Sequence, residues 1–61
     1  MYRVYNNVED KIVFEGNEKQ FIDFMFLILE ENEDVNNFTI ENIQDCIDYI
    51  NGFCDNLEIV E

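Results

Sequence analysis

The apolar positions along this 61-residue chain change period twice, and the changes mark out its elements. Tyr2-Arg3-Val4-Tyr5 and Lys11-Ile12-Val13-Phe14-Glu15 are short runs of aromatic and β-branched residues on either side of Asn6-Asn7-Val8-Glu9-Asp10. Such residues suit a pleated, half-buried surface, and an Asn-Asn pair tolerates the left-handed conformations of a tight turn, so a β-hairpin is predicted. Gly16-Asn17 breaks the second strand. Asn17 is then a helix cap, with Gln20 three residues on to complete a capping box and Glu18 at the positive end of the helix dipole.

From Glu18 to about Asn32 the period becomes helical. Phe21, Phe24, Met25 and Ile28 form one stripe, which is expected to face the hairpin. Ile22, Phe26 and Leu29 form a second, and Leu27 widens the total. A helix apolar nearly all round is buried on most sides. In so short a chain the second stripe is expected to pack on a second helix, on a symmetry-related copy in a homodimer, or on both. The second helix is predicted from about Ile40 to Asn51, with Thr39 as cap and Gly52 as stop, and Ile40, Ile43, Ile47, Ile50 and Cys54 on its apolar face. Leu57-Glu58-Ile59-Val60 reads as a last strand able to join the hairpin. The expected fold is a small single α+β domain over residues 1–61, in the order β-β-α-α-β.

Charge changes the picture most. The formal net charge is −12, and the three bases, Arg3, Lys11 and Lys19, all lie in the first third. From Gln20 onward there is no lysine or arginine, against Asp23, Glu30, Glu31, Glu33, Asp34, Glu41, Asp45, Asp48, Asp55, Glu58 and Glu61. Such a surface repels nucleic acid and anionic lipid and attracts basic protein. With 48% apolar residues the chain is nevertheless expected to fold rather than form an acidic tail. Glu30, Glu31, Glu33 and Asp34 crowd the end of the first helix, where the dipole prefers bases and each acid costs about 0.3–1 kcal/mol. Glu41, Asp45 and Asp48 repeat at i, i+4 and i+7 with no base to pair them. On a helix those positions lie about 6 and 10 Å apart along the axis, a spacing that approximates the phosphates of a nucleic-acid strand. An ordinary solvated helix face is the bland alternative.

Other chemistry is thinly represented. There is no histidine and no serine, and neither Cys46 nor Cys54 has a histidine partner, so catalysis is not expected. The two cysteines are about 12 Å apart along a helix axis, too far to bridge, and are expected as free thiols. Glu30, Asn32, Asp34, Asn36 and Glu41 fall in the register of a calcium loop, but Val35 stands where glycine is needed and the first ligand is Glu; no metal or other cofactor is expected. The amino terminus has no secretory pattern and the longest apolar run, Phe21 to Leu29, is broken by Asp23, so a cytoplasmic location without a membrane anchor is expected.

In size, acidity and the layout of Tyr2-Arg3-Val4-Tyr5-Asn6-Asn7 to Phe14-Glu15-Gly16 followed by a helix, the chain resembles the small acidic proteins encoded by bacteriophages and other mobile elements of Gram-positive bacteria. Some of these are anti-defence inhibitors that mimic DNA. The resemblance implies a protein that binds and blocks a host protein and leaves the target unknown; the charge adds that the partner is a basic protein, one that handles nucleic acid or serves defence, in the cytoplasm of a bacterial host. The resemblance carries no site residue. Reading the residues themselves, the partner-binding candidates are Glu30, Glu31, Glu33, Asp34, Glu41, Asp45 and Asp48, and the dimer-contact candidates are Ile22, Phe26 and Leu29. The alternative is a small dimeric adaptor that binds a partner through the apolar helix face, its acidity serving solubility.

Overall fold

In a computed structural model that describes residues 1–60, strands β1 (Tyr2–Asn6) and β2 (Lys11–Gly16) form the hairpin, each one residue longer than the sequence pattern indicates. The turn uses Asn6 and Asp10 rather than an Asn-Asn left-handed pair. The Asn6 carboxamide oxygen accepts the Val8 and Glu9 amides at 2.9 and 2.8 Å, and Asp10 takes the left-handed conformation at φ 57°. Asn7 instead ties the turn to the far end of the chain: its amide donates to the Asn56 carbonyl at 2.9 Å and its side chain to the Asp55 carbonyl at 3.1 Å. Strand β3 (Leu57–Val60) pairs antiparallel with β1, so the sheet order is β2-β1-β3 with the first strand central. A register shift between Val4 and Tyr5 inserts an extra residue in β2.

Helices α1 (Glu18–Glu31) and α2 (Ile43–Phe53) pack on each other, α1 also against β2 and α2 against β3, which completes a β-β-α-α-β domain. The Asn17 capping box is present: its side chain accepts the Gln20 amide at 2.9 Å and the Gln20 side chain accepts the Asn17 amide at 2.8 Å. A Cβ on Gly16 would stand 2.5 Å from the Gln20 side-chain oxygen, so glycine is what lets the box close. The core joins Val4 and Leu57 from the sheet, Phe21, Met25 and Leu29 from α1, and Cys46, Tyr49, Ile50 and Cys54 from the α2 region, with Ile40 ahead of that helix. Phe14 stacks on Phe21 and on Phe24 at centroid distances of 5.4 and 4.8 Å, fastening α1 to the hairpin. No helix among the described residues is long and apolar enough to cross a membrane.

Three expectations need correction. Leu29 is not a free dimer contact; it is 0% exposed, because Phe21, Met25 and Leu29 at i, i+4 and i+8 form the true inner stripe. The exposed apolar residues of α1 are Phe26 and Leu27, at 43% and 60%. The second helix starts three residues later than the pattern indicates. Asn42, not Thr39, is its cap, accepting the Asp45 amide at 3.0 Å while Asp45 accepts the Glu41 amide at 2.9 Å. Gly52 does not stop it, since the helix runs on to Phe53.

Candidate functional site

The chain distributes its bases and acids unevenly in space as well as in sequence. Arg3 Nε lies 2.7 Å from Glu15 across the hairpin and Lys11 Nζ 3.2 Å from Glu9 beside the turn; these are the two ion pairs among the described residues. Lys19 is exposed in the first turn of α1. Neither helix carries a base in its last turn. Among the described residues, the carboxylates of the α1 terminus, the inter-helix loop and α2 therefore have no cationic partner.

Of the seven candidate acids, Asp34 and Asp45 hold the fold together, and Asp48 accepts the Gln44 side chain one turn away on α2. Asp34 Oδ2 accepts the buried Tyr49 hydroxyl at 2.8 Å, and that hydroxyl accepts the Asn32 side-chain amide at 3.0 Å, so the loop is pinned to α2 through one phenol. Burial, the largest cause, pushes the Tyr49 hydroxyl above its ordinary value. Asp45 is part of the α2 cap, as described above. That cap also puts Glu41 ahead of the helix, so the expected helical array of Glu41, Asp45 and Asp48 does not form; Asp45 and Asp48 alone share the helix. In the calcium-loop register, Asn32 and Asp34 are turned onto Tyr49, and among the described residues no three His, Cys, Asp or Glu side chains are grouped to hold a metal ion.

Glu30, Glu31, Glu33, Glu41 and Asp48 remain exposed. Glu33 is backbone-strained: α1 ends in a Schellman turn, with the Asp34 amide on the Leu29 carbonyl at 2.8 Å and the Glu33 amide on Glu30 at 3.2 Å, and this puts Glu33 at φ 59°. Glycine favours that position, and a side chain there costs about 1 kcal/mol or more. The five acids do not form one array. Glu31 shares a cleft of about 310 Å³ with Glu9, Val13, Phe24, Ile28 and Leu57, between the hairpin, α1 and the α2–β3 turn. Asp48, with Asp45, lines a separate hollow of about 170 Å³ beside Phe38, Tyr49 and Phe53. Sequence reasoning missed Glu9 and the aromatic group; Tyr49 and Phe53 at i and i+4 were the available signal, with Phe38 reachable only through the loop's path.

Cys46 and Cys54 are free and buried. Burial first, then the neighbouring Asp45 charge, pushes the Cys46 thiol up to about 11; burial and the charges of Asp34 and Asp55 push Cys54 up as well. Both thiols stay protonated at neutral pH and are poor nucleophiles. Comparison with protein-family models, with curated proteins and with solved structures returns no match to this chain.

Proposed function

We propose that this protein is a stoichiometric inhibitor, encoded by a phage or other mobile element, that covers a basic surface of a nucleic-acid-handling or defence protein in a bacterial cytoplasm. The observation that supports it most is the segregation of charge: no base occurs after Lys19, and the ion pairs Arg3–Glu15 and Lys11–Glu9 belong to the hairpin and its turn. Glu33 adds weight, since an acid occupies a left-handed position that glycine would fill at lower local cost. Glu30, Glu31, Glu33, Glu41 and Asp48 are the contact residues in this reading, with Asp34 and Asp45 holding the surface in shape. Association is steered by charge and weakened by salt, because the Debye length shrinks from about 30 Å at 0.01 M to about 8 Å at 0.15 M.

The test is capture from bacterial lysate on immobilised protein at low salt, eluted with a salt gradient or with duplex DNA. One basic nucleic-acid-binding or defence protein is expected, released by both and absent from a Glu30→Lys/Glu33→Lys/Asp48→Lys column. A partner that resists salt and is retained by the triple variant refutes the proposal.

A second reading, a dimeric adaptor, draws on the exposure of Phe26 and Leu27 beside Ile22. Sedimentation at high salt distinguishes it: a dimer that Phe26→Lys dissolves supports that reading, and a monomer at every concentration removes it.

A further inference from the structure

The hollow beside α2 joins two core residues, Ile40 and Tyr49, and Phe38 packed against the core, to one ring that the core does not enclose, Phe53. Phe53 is 58% exposed although it is the last residue of the helix and packs on both Phe38 and Tyr49, at centroid distances of 4.6 and 5.4 Å. The Phe38 and Phe53 rings meet at 61°, and Tyr49 lies nearly parallel to Phe53 at 27°. These rings and the buried Ile40 form the apolar part of a space of about 170 Å³ whose charged part is Asp48 and Asp45. Asp48 accepts one hydrogen bond, from the Gln44 side chain at 2.9 Å, through Oδ1.

We infer that this hollow is an anchor site for a single arginine side chain of a protein partner. The volume is below the roughly 300–1,000 Å³ of small-molecule pockets and suits one side chain. A carboxylate and an exposed aromatic ring lining the same hollow call for a cation that is flat and weakly hydrated: guanidinium can stack on a ring while donating to a carboxylate nearby, whereas ammonium is compact and strongly hydrated. The chain's own arginine is not the occupant, because Arg3 is held by Glu15 on the sheet. A second copy brings a further charge of −12 and no other arginine. The inference rests on the proposal of a basic partner and specifies how its residue is gripped.

The experiment is an NMR titration of the isotope-labelled protein with N-acetyl-arginine-amide, and in parallel with N-acetyl-lysine-amide, at low ionic strength. Arginine is expected to shift Phe38, Asp48, Tyr49 and Phe53 along one saturating curve, with upfield ring-current shifts of its own δ-methylene protons. Lysine is expected to bind several-fold more weakly. Phe53→Ala and Phe53→Leu should each weaken arginine by about two- to fivefold, because both remove the π face and leucine keeps the apolar bulk. Circular dichroism verifies that the exposed position leaves the fold intact. Equal effects of the two probes, shifts spread evenly over Glu30, Glu31 and Glu33, or full affinity in Phe53→Leu would each overturn the inference. Salt-sensitive capture of a partner that survives Phe53→Leu would overturn the arginine anchor alone, whereas a saturating arginine response with no basic partner captured would overturn only the inhibitor proposal.

Discussion

Replacing Tyr49 by phenylalanine isolates the contact that joins the acidic loop to the second helix. The ring is 2% exposed and stays in its aromatic cluster, so the substitution removes one oxygen without opening a cavity for a side chain. Two hydrogen bonds go with it: one donated to the Asp34 carboxylate at 2.8 Å and one accepted from Asn32 at 3.0 Å. A hydrogen bond to a charged group contributes about 1.5–3 kcal/mol and a neutral one about 0.5–1.5. Asp34 is only half-buried and Asn32 is exposed, so water replaces much of what both lose, and the expected cost is about 1–2 kcal/mol. A core of this size rarely supplies more than about 3–5 kcal/mol, so the loss is a large part of the whole. It corresponds to a fall in melting temperature of about 4–8 °C per kcal/mol for a domain near this length. Thermal and urea unfolding followed by circular dichroism measure it, and Asp34→Ala paired with Tyr49→Phe in a double-mutant cycle isolates the coupling. A Tyr49→Phe melting temperature within a degree of wild type, or additive single effects, would show that the phenol does not hold the loop.

Gly52→Ala should stabilise by about 0.5–1 kcal/mol, because the helix continues through that position and an added Cβ meets nothing within 4 Å; a lower urea midpoint would contradict the helical assignment. Gly16→Ala should cost about 1 kcal/mol, since the new Cβ displaces the Gln20 side chain and opens the capping box, and Gln20→Ala in the same background should then add little. Stability should decline in alkali. Folded Cys46 keeps its proton up to about 11 while the unfolded thiol ionises near its ordinary 9.0, so the unfolded chain binds fewer protons above pH 9. This contribution is complete below 9.0 and is lost as pH rises toward 11, at up to about 1.4 kcal/mol per pH unit for this thiol; Cys54 acts in the same sense. Urea midpoints measured across that range should fall less steeply in Cys46→Ala, and equal slopes would argue against burial as the cause.

Much of this architecture is legible in the chain because it depends on local rules. The change from period two to period 3.6 at Gly16-Asn17, the capping box and the alternation at the carboxyl terminus specify the element order β-β-α-α-β without reference to distant residues. Local rules also explain the errors. Thr39 and Asn42 are both sound caps by residue type, and the choice between them followed from the Asp45 amide and carboxylate closing on Asn42 and Glu41. Leu29 fits either apolar stripe on a helical wheel, and only the approach of α2 and the sheet decided which stripe lies inside. The excess of acid over base, and its concentration after residue 20, is a property of composition that folding cannot alter. Which carboxylates are available to a partner is another matter: Asp34 and Asp45 are taken by groups 15 and 4 residues away, and Asp48 shares a hollow with Tyr49, Phe53 and a Phe38 brought there by a loop whose course no period describes. Charge is summed along the chain, but hydrogen bonds and hollows exist only where the tertiary fold brings separated residues within a few ångströms.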